Sequence, residues 1–443
     1  AADGDRGSAG RLLRNPPSSL SRDVDGRRSQ LEAALSAIHG REYLQALRSR
    51  EMRPGDGAHR GGEKRLRDAL DAALDELPAT SSGSAPVKPL PMKALELDPE
   101  SDDDEFGLVG DAAPYRGMWR DALLVVDGSL NAAAWLADQL DGDHRAGQHH
   151  LYAVHWEGGR HHARYDGAGG FCFLNDVAVA ARFLHARGKR RVLVADFDAH
   201  HGDGTEFAFL GTPGVFTLSM HVHQQGIYPG TGAPAASPDR GFLNVALPPG
   251  ATDADAEPLW RAAVDAAVSA FQPDVIVAVC GCDAAAGDPL GHLSLSVGAL
   301  ARMFGVLVEC GVPMLCLGAG GYVDATSARC FALFTKRLLG TYDCASDATR
   351  AAPEASPNVF AVPDTCSSFA AFAPTFSLLQ TPRGSEFRDE AYAMHLRELN
   401  NEALQRLRDS DGASSGVDEE NDEDTSESER ESSSGAIDAQ CSA

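Results

Sequence analysis

The sequence predicts an α/β fold, a single large domain with a mainly parallel central sheet flanked by helices, followed by a disordered acidic tail. Three observations carry this reading. Short, nearly unbroken apolar runs recur between Phe106 and Leu339, helical stretches alternate with them, and ionisable residues gather directly after the runs. Buried parallel strands read as continuous apolar runs because helices cover both faces, and the alternation with helices supplies that cover. The chain has 443 residues, 43% of them hydrophobic, which is ample for a packed core.

In chain order, residues 1–28 are rich in Gly, Arg, Ser and Pro, carry no apolar period and are expected to be disordered. The folded domain is expected over 29–408. It opens with one helical stretch, "SQLEAALSAIHGREYLQALRS". A low-complexity insertion follows at about 52–104, with a single short helix near 64–76. Strands are predicted at "LYAVHW", "RVLVADFD", "VFTLSMH", "FLNVALP", "DVIVAVCGCD" and "PMLCLGAGGY". Helices are predicted at "NDVAVAARFLHARG", "DAEPLWRAAVDAAVSAF", "VGALARMFGVLVECG" and "DATSARCFALFTKRLLG", with a last one at "RDEAYAMHLRELNNEALQRL". Residues 409–443 hold twelve Asp/Glu against one Arg and are expected to stay disordered. Ser415, Ser426 and Ser428 each precede a carboxylate by three positions, which suits an acidophilic kinase; a purely solubilising tail is the other reading.

Composition excludes several classes. A net charge of −25 argues against a broad nucleic-acid face and fits the sign of a lysine-rich partner. No apolar run approaches the roughly 18 residues that span a bilayer, so no membrane role is expected. The nine cysteines form no C-x-x-C pair, which argues against a disulfide framework or a zinc knuckle and for a reducing compartment.

The stretch "RRVLVADFDAHHGDG" places Asp196, Asp198, His200, His201 and Asp203 at the carboxyl end of a predicted strand, where ligands of such sheets bind. Burying so many ionisable groups is costly unless something neutralises them. Residues 198 and 200 of an extended segment point the same way. With a carboxylate from another strand, Asp283 or Asp288, they offer two oxygens and one nitrogen to a divalent cation, with a position left open for water. Asp196 and Asp203 are then free to orient the tandem histidines His161 and His162. Taken singly, a D-x-H after a strand is more often a hydrogen-bonded pair, and Gly-Gly-Tyr is more often a turn. Their coincidence at strand ends is the informative feature.

Taken in order, "WEGGRHHARYDGAGGFCFLND", "ADFDAHHGDGTEFAF", "YPGTG", "CGCDAAAGDPLG" and "LGAGGY" resemble the successive motifs of the zinc-dependent histone deacetylases, most of all class I. The resemblance runs from about Gln30 to Leu407 around the insertion, with a weaker closing segment, "VPDTCSSFAAFAPTFSLLQTP". It implies the arginase/deacetylase fold and hydrolysis of N-ε-acetyl-lysine on histones or other proteins. Zinc, with ferrous iron as the alternative, would be held by Asp198, His200 and Asp283. His162, tuned by Asp203, would be the general base toward water polarised by the metal. His161, paired with Asp196, would be the second histidine, and Tyr322 would polarise the acetyl carbonyl. Gly170, Phe171, Tyr228 and Leu290 would line the acetyl-lysine channel, and Asp111 would hold substrate backbone at the rim. A potassium ion would sit near Asp196, Asp198, His200 and Ser219.

The chain departs from the family pattern at five places. The first strand and helix of the family are not recognisable before Gln30, Ala319 stands for a glycine, and Tyr228 for the usual Phe. Pro289 and Ala325 occupy positions where inositol-phosphate-bridged relatives carry Arg, so such bridging is not expected. The resemblance implies histone tails as substrates, chromatin complexes as partners, no direct sequence-specific nucleic-acid contact, and a nuclear setting that extends to the cytoplasm. The competing readings are a deacylase for another acyl group or for acetylated polyamines, and a non-catalytic acetyl-lysine-binding scaffold. The intact set of ligands, histidines and tyrosine argues against the scaffold.

Overall fold

The structure is a computed structural model and describes residues 24–50, 104–141, 151–340, 360–379 and 389–413. Its centre is a seven-stranded sheet. In chain order the strands are β1 (Tyr152–His155), β2 (Val192–Asp196), β3 (Val215–Val222), β4 (Ala235–Ser237), β5 (Phe242–Leu247), β6 (Val275–Val279) and β7 (Met314–Leu317). The spatial order is β1-β7-β6-β2-β3-β5-β4, and every pairing is parallel except β4 with β5.

The apolar runs are continuous because successive residues enter different cores. On β2, Val192 and Val194 join one buried cluster while Leu193 and Ala195 join the other. On β6, Val275, Val277 and Val279 alternate in the same way with Ile276 and Ala278. One face is covered by α1 (Val24–Ser36), α2 (Arg41–Arg50), α3 (Met118–Asp141) and α4 (Asp176–Ala186), whose buried residues belong to the second cluster. The other is covered by α6 (Asp253–Phe271), α7 (Val297–Glu309), α8 (Asp324–Leu338) and α9 (Glu390–Ala413), after the short α5 (Asp203–Phe209). Trp260 is the largest side chain wholly inside; its indole N–H donates to the Met303 carbonyl at 2.9 Å, so its one polar group is satisfied. None of the described helices is long and apolar enough to cross a membrane.

This is the fold class the sequence predicts, and all six predicted strands are present. Several details differ. The first predicted helix is broken into α1 and α2 by a turn at 37–40, where the Gly40 amide donates to the Tyr165 carbonyl at 2.7 Å. Helix α1 begins at Val24, inside the span 1–28 expected to be disordered, and α9 continues to Ala413, past the boundary expected at 408. The 24-residue α3 and the three-residue β4 were not anticipated. The expected short helix near 64–76, the bulk of the insertion and the tail beyond 413 lie outside the described residues.

Candidate active site

The loops that leave the carboxyl ends of β1, β2, β6 and β7 converge. Asp196 ends β2, and its Oδ1 accepts the Asp198 amide at 3.0 Å, turning the chain so that Asp198 and His200 follow on one side. Asp283 arrives from beyond β6 and Tyr322 from beyond β7. One ligand atom from each of Asp198, His200 and Asp283 lies within 4.8 Å of the others. His200 Nδ1 is 3.2 Å from Asp198 Oδ1 and 3.0 Å from Asp283 Oδ2, and all three residues are buried. Their remaining oxygens are tied down: Asp283 Oδ1 accepts the Ala199 amide at 2.9 Å and Asp198 Oδ2 the Gly320 amide at 2.8 Å.

This donor set fits a divalent cation. Two carboxylates and one imidazole with no lysine or arginine among them are a costly cluster to bury without a counter-charge. The surrounding backbone also leaves the cluster space. A Cβ on Gly320 would collide with Asp283 Oδ2, and one on Gly281 with Asp198 Oδ2. The choice between Asp283 and Asp288 is resolved by contacts, because Asp288 is spent on backbone amides: Leu290 at 2.9 Å and Gly291 at 3.2 Å on one oxygen, Tyr322 at 2.9 Å on the other. It orients the tyrosine instead of joining the triad.

The tandem histidines lie beside the triad. His161 Nδ1 is 2.7 Å from Asp196 Oδ2, His162 Nδ1 is 2.8 Å from Asp203 Oδ1, and the two Nε2 atoms are 3.0 Å apart. Their environments push them in opposite directions. Burial alone would depress His161, but the Asp196 and Asp198 carboxylates outweigh it and raise the imidazole to about 9. Burial, together with the charge of His161, lowers His162 to about 4 despite Asp203. A neutral His162 facing the cavity is a base; a divalent cation in the triad would reverse the pull on His161. Burial pushes Asp203 up, yet the hydrogen bond with His162 and the Arg164 guanidinium hold it at about 2. Burial, then the carboxylates around it, push the Tyr322 phenol well above its ordinary value, so it stays a proton donor.

The aromatic side chains flank this centre. Phe171 follows Gly170, and both adopt left-handed backbone, φ 62° and 53°. That conformation is uncommon for a bulky residue, and the paired Gly169 and Cys172 hydrogen bonds, 2.9 and 3.2 Å, enforce it. A Cβ on Gly170 would collide with the His162 ring. The Phe171 ring centroid lies 5.7 Å from that of Tyr322, and Tyr228 lies edge-on to His162 at 4.9 Å. The Asp111 carboxyl is raised by burial and meets the Gly170 backbone amide. Leu290 is half-buried beside Asp288. Ser219 is the register partner of Asp196, but its hydroxyl is 2.9 Å from His221 Nδ1. Pro289 and Ala325 carry no charge, and the Ala325 carbonyl accepts from Arg329 at 3.2 Å.

Several supporting residues escape sequence reasoning. Asp176 accepts the Gly159 and Arg160 amides, 3.0 and 2.7 Å, and the Ser129 hydroxyl at 2.5 Å, fixing the turn before His161. Asn175 caps α4 through the Ala178 amide, a position where its residue type is a recognisable signal. Its amide group also donates to the His161 and Ala163 carbonyls at 3.2 and 3.0 Å. Arg164 donates from Nε (2.9 Å) and Nη2 to Asp203 Oδ2, and stacks over Phe207 with 4.9 Å to the ring centroid. His201 reaches Thr231 at 2.8 Å and His221 the Gly232 carbonyl at 2.7 Å, anchoring the loop that carries Tyr228.

Two cavities adjoin the centre. The smaller, about 140 Å³, is lined by Arg160, His161, His162, Phe171, Asp198 and Tyr322 among others. The larger, about 290 Å³, includes Asp111, Tyr115, Asp121, Arg160, Phe171 and Phe173.

Comparison with known proteins gives a consistent picture. A family model described as the histone deacetylase domain matches residues 9–338, beginning ahead of Gln30, where the motif resemblance starts. Histone deacetylase 9 of Arabidopsis thaliana is 33% identical over 240 residues, 53% of this chain and 54% of that protein. Histone deacetylase 8 of Xenopus laevis is 33% identical over 243 residues, 53% of this chain and 71% of that protein. The acetoin utilization protein AcuC of Bacillus subtilis (strain 168) is 35% identical over 234 residues, 51% and 58% of the two chains. The chain thus spans about half the length of most of these relatives.

Proposed function

The chain belongs to the histone deacetylase family, and from that premise we propose that it is a metal-dependent hydrolase that removes acetyl groups from lysine side chains of proteins such as histone tails. The observation that carries the reading is the convergence, in one place, of a buried Asp198–His200–Asp283 cluster, a neutral His162 and the Tyr322 phenol.

Asp198, His200 and Asp283 would hold a zinc or ferrous ion, which when bound supplies Lewis acidity to the acyl oxygen and lowers the pKa of water. The protein's own groups divide the remaining work. Phe171 and Tyr228 grip the lysine methylenes, with Gly170 and Leu290 completing the channel and Asp111 meeting substrate backbone at its mouth. His162 takes the proton of the attacking water, and Asp203, clamped by Arg164, fixes the ring so that Nε2 is the basic atom. Tyr322 donates its hydroxyl to the carbonyl oxygen as charge develops there. The proton then passes through the histidine pair to the departing lysine nitrogen, with Asp196 supporting positive charge on His161. A potassium ion near Asp196, Asp198, His200 and Ser219, chromatin partners and a nuclear setting belong to the same reading.

The test is hydrolysis of an acetyl-lysine histone peptide by the full chain, with bound metal counted in the same sample. Turnover with about one divalent ion per chain, abolished by a hydroxamate, supports it. Metal without turnover on any acyl-lysine peptide overturns it.

A further inference from the structure

Arg160 sits where the proposed reaction would leave an acyl group, and nothing above uses its side chain. Its backbone amide donates to Asp176 at 2.7 Å. The residue is half-buried and lines both cavities, and Phe171 lines both with it. Among the described residues, none makes an ion pair or a side-chain hydrogen bond with the guanidinium. Its charge is nevertheless felt inside the smaller cavity, where it draws down the Cys172 thiol that burial pushes up.

A partly desolvated guanidinium without a carboxylate is an unbalanced charge, and its planar fork matches a carboxylate with two parallel hydrogen bonds. The smaller cavity, about 140 Å³, is lined by His162 and Tyr322 as well as Arg160, so an acyl group at the reacting centre and the guanidinium-bearing residue share one space. The acyl carbon must lie near His162 and Tyr322, so a short chain extending from it reaches the wall that Arg160 forms.

We propose that Arg160 is a specificity determinant that makes this site a deacylase for lysine acyl groups ending in a carboxylate, of the succinyl class. The reaction is the hydrolysis already described: water adds to the acyl carbon, the C–N bond breaks, the water proton goes to the lysine nitrogen, and a dicarboxylate leaves. No oxidant or second substrate is needed. The dicarboxylate is placed in the smaller cavity because Arg160 lines it together with His162 and Tyr322, and the carboxylate that also lines it, Asp198, belongs to the cation cluster. The larger cavity carries Asp111 and Asp121 and neither His162 nor Tyr322.

This inference rests on the hydrolase reading, and its test separates the two. Metal-loaded full chain is given one peptide sequence carrying acetyl-lysine or succinyl-lysine, and succinate binding is measured by calorimetry on the same protein. Succinyl-lysine is expected to be hydrolysed at least as efficiently as acetyl-lysine. Arg160→Leu should lower the succinyl-to-acetyl ratio of kcat/KM by roughly tenfold or more, Arg160→Lys should restore part of it, and succinate binding should weaken in parallel. Hydrolysis of acetyl-lysine alone, or equal losses on both peptides in Arg160→Leu, overturns the inference and leaves the hydrolase reading standing. If neither peptide is cleaved the hydrolase reading falls, and succinate binding that is unchanged by Arg160→Leu overturns the carboxylate site as well.

Discussion

Replacing Tyr322 by Phe removes a single hydroxyl, since the backbone amide of this residue still reaches Asp288. The expected result is a loss of about 10²–10³ in kcat with metal content unchanged, measured by steady-state kinetics and metal analysis on one preparation. A near-normal rate would remove Tyr322 from the carbonyl. Arg164 acts one step further out, through Asp203. Arg164→Ala should lower kcat by roughly tenfold with little change in KM and move the acidic limb of the rate profile upward, because His162 loses a neighbouring positive charge; Arg164→Lys should recover part of the loss. Asp203 also reports on stability. Its folded value of about 2 lies below the ordinary carboxylate value of about 4, so its contribution is complete above the latter and is lost as pH falls through the former. Melting temperature measured across that window should fall for the native chain and fall less for Asp203→Asn. At this scale the sequence is readable where ionisable residues cluster after a strand, as for Asp198 and His200. Residues 198–200 form a bend and not the extended segment expected, with the His200 amide donating to Asp198 Oδ1 at 2.9 Å. The sequence is silent where partners are distant: nothing near Asp176 in the chain announces that it holds the Gly159 and Arg160 amides, and nothing near Asp288 announces Tyr322.

The elements that a pattern reveals are those whose burial is regular. Strands β2, β3 and β6 are apolar throughout because both faces are covered, and they were read directly. Helix α3 was not, in part because Gly128 interrupts its propensity; a Cβ there would collide with the His155 ring, so a tertiary contact dictates the residue. The break between α1 and α2 has the same kind of origin, the Tyr165 carbonyl capturing the Gly40 amide across the molecule. The turn from β7 into α8 gives a direct test. Gly320→Ala should displace Asp283 and Asp198 and reduce bound metal by more than half, roughly a shift of 1 kcal/mol or more in site affinity, while circular dichroism stays native. Retention of full metal occupancy would mean that the cradle does not need a glycine. Helix α9 is docked through Asn400, which bonds both the amide and the carbonyl of Ala246 on β5, at 3.0 and 2.8 Å. Asn400→Ala leaves both buried groups unpaired and should cost about 1–3 kcal/mol in denaturant unfolding.

For the molecule as a whole, the triad couples the ends of β2, β6 and β7 to a single charge balance. Stripping metal with a chelator should lower the melting temperature, and re-addition of zinc should restore it, since a ligand present at a thousand times its Kd adds roughly 4 kcal/mol. No shift on chelation would mean the carboxylates are neutralised by protons alone. The order of strands has a consequence for synthesis. Tyr152 on β1 pairs with Met314 on β7, and the loop after β1 carries His161 and His162. On a translating ribosome β1 emerges first among the described strands, yet its neighbour in the sheet, β7, emerges last among them. Until then, one edge of the nascent parallel sheet stays open, although the histidine loop already has Asp176, Asp196 and Asp203 to bond. Such long-range pairing is slow and leaves apolar surface exposed while it waits. Pairing of the first strand with the seventh therefore completes this sheet late in synthesis, and added chaperone during expression should raise the yield of folded chain.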